Sequence, residues 1–113
     1  MLPKVNRLTK KKEFENVFKK GKSSYNEIVG IKVVLKTVNS VRFGIVISNK
    51  VSKKATKRNR IRRQVREIFW LTLNKIKQGD YVLIARPAIV KKTYKEIESS
   101  IIKNLRKLKA LKK

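Results

Sequence analysis

Residues 50–66 constrain this chain more than any other stretch. The run Lys-Val-Ser-Lys-Lys-Ala-Thr-Lys-Arg-Asn-Arg-Ile-Arg-Arg-Gln-Val-Arg holds nine Lys or Arg in seventeen positions and no acid. Wound as a helix, Arg58, Arg62 and Arg66 fall four residues apart and form one ridge of guanidinium groups. Such a ridge repels itself unless a polyanion faces it, so the stretch reads as one face of an interface with nucleic acid. The helix continues to about Lys77 and changes character on the way. Ile61, Val65, Ile68 and Thr72 make a stripe that should face a sheet. Beside that stripe the first half carries Arg58, Arg62 and Arg66, with Asn59 and Arg63 beyond them. The second half puts Phe69, Trp70 and Leu73 at the same angular positions, so one end is built to meet a partner and the other to pack. A basic helix face is most often simply solvated. Arg in preference to Lys at five places between 58 and 66 favours a partner, because its planar fork suits phosphate and base edges.

The rest of the composition sharpens the choice. In 113 residues there is room for one domain, residues 1–113, with residues 1–8 and 109–113 expected as flexible basic ends. A hydrophobic content of 41% supports a modest core. Lys and Arg number 32 against 7 Asp and Glu, a net charge of +25, and that imbalance calls for a polyanionic partner. Cysteine and histidine are both absent, which removes disulfides, thiolate zinc sites and the commonest general base. No catalytic and no metal-ligating residue stands out. The start has no apolar run resembling a signal peptide, and the longest apolar runs are far short of a membrane span. The expectation is a soluble, cytoplasmic protein with no membrane contact and no small-molecule substrate.

In chain order, a helix is predicted from about Thr9 to Lys20, with Thr9 as N-cap and Gly21 following its end. Phe14, Val17 and Phe18 share its apolar side. The plain reading makes both phenylalanines core anchors; the sharper one leaves a ring in an open cleft to stack on a base. Lys22 to Asn26 reads as a polar connector. Ile28 to Lys36 and Val41 to Ser48 read as two strands paired antiparallel through a turn at Lys36 to Ser40. Gly44 marks a close backbone approach or a bulge. Tyr81 to Ala85 is a short apolar run typical of a buried strand, ended by Arg86-Pro87. Thr93 and Glu96 form a capping box ahead of a last helix with Ile97, Ile101, Leu105 and Leu108 on one side. Helices and strands in that order give an α+β sandwich.

Arg58-Asn59-Arg60, with Ile61-Arg62-Arg63 and Arg66-Glu67 behind it, resembles the signature of the bacterial ribonuclease P protein family. The strand Arg42-Phe-Gly-Ile-Val-Ile-Ser48, the segment Gly79 to Pro87, and residues 7–21 with Phe14, Phe18 and Gly21 resemble other parts of it in the same order. The resemblance implies a two-layer αβββαβα sandwich with a left-handed βαβ crossover, the ribosomal protein S5 domain 2-like fold, against the general right-handed rule. It also implies a subunit that works with a catalytic RNA to remove the 5′ leader of precursor tRNA, the RNA carrying the chemistry. Carried onto this chain, Arg58, Asn59, Arg60, Arg62, Arg63 and Arg66 would contact the RNA subunit, and Lys50, Lys53 and Lys54 would extend that surface. Phe14 and Phe18, with Tyr25 and Phe43, would hold the single-stranded leader. The partners would be the ribonuclease P RNA, in a 1:1 complex with one monomer, and precursor tRNA. The protein alone would bind no cofactor; the RNA-containing holoenzyme would need Mg2+. The chain departs from the family pattern in two places. One extra residue precedes Arg58, with Ser52 near the position of a usual glycine, and Ile28 to Leu35 carries no aromatic.

The residues agree with that assignment. A two-metal phosphodiesterase needs clustered acids, and none occurs from Ile28 to Arg66. A structural or ribosomal RNA-binding protein explains the charge equally well, but not an aromatic first helix together with an Arg-Asn-Arg helix. A leucine-zipper DNA-binding helix would need heptads that Gly79-Asp80 interrupts. A membrane-surface helix would need the apolar stripe that the core already uses.

Overall fold

In the computed structural model, which describes residues 6–35 and 40–112, helix α1 (Lys11–Lys20) precedes three strands, β1 (Lys22–Tyr25), β2 (Val29–Leu35) and β3 (Val41–Val46). Helix α2 (Ala55–Thr72) leads through a 3-10 turn at Leu73–Lys75 to β4 (Gly79–Ala85), and a second at Pro87–Lys91 leads to α3 (Tyr94–Lys107). This is the α+β order expected. The turn anticipated at Lys36 to Ser40 falls largely on residues 36–39, outside the described residues.

The sheet runs β1-β2-β4-β3, antiparallel at β1–β2 and β2–β4 and parallel at β3–β4. Two expectations are corrected here. β2 and β3 do not pair with one another, because β4 inserts between them and pairs with both. Its sequence explains the position: Tyr81 to Leu83 are fully buried, and apolar residues on both faces suit a central strand. The segment Lys22 to Tyr25, read as a connector, is the edge strand β1. An edge strand with one solvated face needs little apolar content, and β1 is held from below by a polar side chain. Buried Asn104 of α3 donates to the Val29 carbonyl at 3.1 Å and accepts from the Ser24 hydroxyl at 2.8 Å.

The helices divide between the two faces of the sheet. On one face Ile61, Val65, Ile68 and Phe69 of α2 and Ile97, Ile101 and Leu105 of α3 pack on Ile31, Val33, Phe43, Tyr81 and Leu83. Each large side chain fully buried there contributes about 1.5–3 kcal/mol. The stripe expected on α2 is therefore the stripe observed. Its second half packs less completely than expected: Phe69 is buried and Leu73 half-buried, but Trp70 remains 41% exposed. On the other face α1 lays Val17 and Phe14 on Leu8, Val82, Val34, Val46 and Ile84. With ten residues, α1 covers only part of that face.

Caps follow the sequence at one helix and differ at another. The Thr93 hydroxyl accepts from the Glu96 amide at 3.2 Å and Glu96 accepts from the Thr93 amide at 3.0 Å, the reciprocal box expected. At α1 the capping oxygen belongs to Glu13, not Thr9. Glu13 Oε1 accepts from the amides of Lys10 at 2.9 Å and Thr9 at 3.3 Å. Gly21 does follow the helix, with its amide bonded to the Val17 carbonyl at 2.8 Å.

The described parts of both ends are tied down, where flexible ends were expected. Asn6 donates to the Val41 carbonyl at 2.7 Å, and the Leu8 amide to that of Phe43 at 2.6 Å. At the other end Ala110 is fully buried, its carbonyl accepts from Lys77 at 2.8 Å, and the Lys112 amide reaches the Lys75 carbonyl at 2.8 Å.

Candidate nucleic-acid interface

Helix α2 begins at Ala55, so the basic stretch is part loop and part helix. Lys50 and Lys53 sit on the exposed turn before it, and Lys54 is the N-cap residue. That turn is locked from both sides. The Ser52 hydroxyl accepts from the Lys54 amide at 3.2 Å, and the Ser52 carbonyl accepts from Arg58 Nη1 at 2.7 Å. Arg58 is thereby folded back over the loop. Arg62 Nη1 donates to Asn59 Oδ1 at 2.9 Å, which fixes that fork on the helix surface.

Asn59, Arg62, Arg63 and Arg66, with Thr56, line one open concavity of about 440 Å³ on the outer wall of α2. A second cavity of about 250 Å³ lies where α2 meets β3 and the segment before α1; Arg7, Leu8, Phe14, Gly44, Arg62 and Arg66 are among its lining. Neither is lined by a carboxylate. Burial disfavours the charge on Arg66, and Arg7 and Arg62 add repulsion, so its guanidinium lies below the ordinary arginine value. Of the ridge inferred from sequence, Arg62 and Arg66 line the concavity together, while Arg58 is turned to the Ser52 carbonyl. Arg60, two residues from both Arg58 and Arg62 and so about 160° around the helix from each, lies on the other flank.

The second set of expected residues gathers on the half-covered face of the sheet, with one exception. Phe14 is half-buried against Gly44. Phe18 is 41% exposed, with Lys32 Nζ 5.4 Å from its ring centroid. Tyr25 is 42% exposed and lies across Gly30, where an added Cβ would stand 2.1 Å from its ring carbons. The Arg86 guanidinium stands 6.0 Å from the Tyr25 centroid. Lys32 and Arg86 lie over the faces of the Phe18 and Tyr25 rings, so these exposed rings and their cations together make an aromatic platform suited to an unpaired base and its phosphate. Phe43 is not part of it. The side chain is 3% exposed on the opposite face, stacked on Phe69 with centroids 3.5 Å apart and 5.4 Å from Tyr81. Alternation along β3 sends Phe43 and Gly44 to opposite sides, and Gly44 is the one facing α1.

Sequence reasoning missed Lys32, Arg86 and Arg7. Lys32 interrupts an apolar strand at an alternating position, a usable signal, and Arg86 directly follows β4. Arg7 carries no local signal; only its bridge to Phe43 places it beside Arg66.

Two of the acids, Asp80 and Glu13, serve the scaffold. Asp80, 3% exposed, takes a two-pronged bond from Arg42 Nε and Nη2 at 2.7 Å each, and Arg42 Nη1 reaches Glu13. This triad joins α1 to β3 and β4 on the same face of the sheet, at the end opposite Tyr25. No three metal-ligating side chains come together among the described residues. No helix among them is long and apolar enough to cross a membrane.

Comparison with known proteins agrees with this geometry. The protein-family model described as Ribonuclease P matches residues 2–109. A Clostridium botulinum relative named Ribonuclease P protein component is 42% identical over 106 residues, covering 92% of this chain and 95% of the relative. The solved structure of the Staphylococcus aureus RNase P protein superposes with a TM-score of 0.88 at 30% identity, covering 96% of this chain and 100% of that one. The RNase P protein from Thermotoga maritima gives 0.77 at 31% identity, covering 86% and 92%.

Proposed function

The chain belongs to the ribonuclease P protein family, and from that premise we propose that it is the protein subunit of a ribonucleoprotein that removes the 5′ leader of precursor tRNA. The observation that carries this reading is the junction of two unlike surfaces. The arginine wall of α2 adjoins, through the cavity at Arg7, Arg62 and Arg66, the open aromatic half of the sheet. A folded RNA seated on the first would place a single strand leaving it within reach of the second.

Asn59, Arg62, Arg63 and Arg66 would hold phosphates and base edges of the catalytic RNA, with Lys50, Lys53, Lys54, Arg58 and Arg60 enlarging the field around them. Phe18 and Tyr25, supported by Phe14 and flanked by Lys32 and Arg86, would stack leader bases and neutralise the leader backbone. The chemical step would belong to the RNA, which would also hold the magnesium ions. The protein's part is to screen phosphate repulsion and to fix the leader close to the scissile bond, which is catalysis by positioning. It would act in the cytoplasm, as one monomer per RNA.

Reconstitution tests this. Added to a bacterial ribonuclease P RNA at low magnesium, the protein should stimulate cleavage of precursor tRNA well beyond a basic protein of matched charge. Equal stimulation by the two would overturn the reading.

A further inference from the structure

Trp70 is the one tryptophan of the chain and is 41% exposed. A lone surface hydrophobe is ordinary; its register is what sets this one apart. Asn59, Arg63, Arg66 and Trp70 succeed one another at steps of four, three and four residues, which keeps them on one wall of α2, about 170° from the buried stripe of Ile61, Val65 and Ile68. The first three line the arginine concavity. The indole comes one turn later, about 6 Å further along the axis. Its neighbour in sequence, Phe69, turns into the core instead, and Leu71, 61% exposed, lies around the helix from this wall. A flat ring at the end of a row of guanidinium forks matches a strand whose phosphates lie on the forks and whose next base is unpaired.

We infer that Trp70 stacks on an unpaired base of the RNA subunit and ends the protein's footprint on that RNA, one helical turn beyond Arg66. The inference rests on the proposed function and adds a contact that depends on the base and not on charge.

The single tryptophan supplies the test. The full chain is titrated with a bacterial ribonuclease P RNA while its intrinsic emission is followed, and affinity is measured separately by filter binding. Emission should be quenched in step with binding, and acrylamide should reach the bound indole less well than the free one. A short single-stranded oligonucleotide of leader sequence, directed to Phe18 and Tyr25, should leave the emission unchanged. Trp70→Phe should bind nearly as the parent does. Trp70→Leu, apolar but without a π-face, should bind about tenfold more weakly, with an unaltered dependence on salt concentration. Circular dichroism of the leucine variant guards against misfolding. Unchanged emission at saturating RNA, or equal affinities for the phenylalanine and leucine variants, would overturn the inference while leaving the proposed function standing. Failure of the parent to bind this RNA better than a charge-matched basic protein would overturn both.

Discussion

Gly44 and Phe14 occupy one pocket between them: a Cβ added to Gly44 would stand 2.3 Å from Phe14 Cε1 and 2.4 Å from Cζ. The glycine is thus the seat of the ring that anchors α1 over β3. Gly44→Ala should force the ring outward and lower stability by about 1–3 kcal/mol, the usual cost of overpacking. Urea unfolding measures it. In Gly44→Ala/Phe14→Leu the two effects should be clearly less than additive, because the second change removes the atoms that clash. Strict additivity would mean that Gly44 is needed for another reason.

Phe43 and Phe18 should separate stability from recognition. Phe43→Ala removes a ring sandwiched against Phe69, and about 3–5 kcal/mol of stability should go with it. Phe18→Ala touches a ring already 41% exposed, so stability should move by no more than about 0.5 kcal/mol. Affinity of the assembled complex for a precursor with a leader should nevertheless fall, and affinity for one without a leader should not. The reverse pattern would return Phe43 to the platform.

These two phenylalanines also show where the sequence was legible. The stripe Ile61, Val65, Ile68 and Thr72, the box at Thr93 and Glu96, and the close approach at Gly44 all depend on local spacing, which a sequence displays directly. The partner of a strand does not. β3 follows β2 closely in sequence, yet its parallel pairing with β4 depends on where α2 returns the chain. The parity of β3 was available and points the other way from the expectation for Phe43: if Gly44 faces α1, Phe43 cannot. β1 stayed hidden because Lys-Ser-Ser-Tyr shows no apolar alternation, and its anchor, Asn104, lies 80 residues downstream of Ser24. The arginine wall was legible as chemistry and less so as geometry. Arg60 belongs to the motif but not to the ridge, and Arg58 is spent partly on holding the Ser52 turn.

Arg66 should trade stability for binding. Its charge is disfavoured by burial and by Arg7 and Arg62, so the free protein carries strain that an RNA phosphate would relieve. Arg66→Gln should leave thermal stability equal or raised and weaken RNA binding. Its log–log slope of affinity against salt should be shallower by roughly 0.7–0.9, the loss of one phosphate contact. An unchanged slope would place Arg66 outside the contact.

Acid should loosen α1. Burial tends to raise the Glu13 carboxyl, but the Lys10 and Thr9 amides and Arg42 outweigh it, and the group lies below its ordinary value of 4.5. A carboxyl depressed in the folded state adds stability that is fully present above its unfolded value and is lost as pH falls through the folded one. Stability should hold down to about pH 5 and decline below about 4.5. In Glu13→Gln part of that decline should be missing, because the variant has already lost it at neutral pH. Thermal melts of both proteins across that window decide the matter, and parallel curves would sink the assignment.

Lys109 offers a gain. Its φ is +57°, and around it the amides of Lys109 and Ala110 close back on the carbonyls of Arg106 and Leu105 at 3.0 and 2.9 Å. That is the left-handed helix ending that glycine favours, because a Cβ in this conformation crowds the following carbonyl oxygen. The turn matters beyond α3, since it delivers Ala110 into the core and Leu111 to its bridge with Ile76. Lys109→Gly should therefore raise stability by about 0.5–1 kcal/mol, while Lys109→Ala, which keeps the strained Cβ, should change little. Ending the chain at Leu108 should destabilise, because the Lys77 amide loses its partner and the site of Ala110 stands empty. Chemical denaturation orders the three variants; a destabilised glycine variant would mean that the left-handed turn does not form in solution.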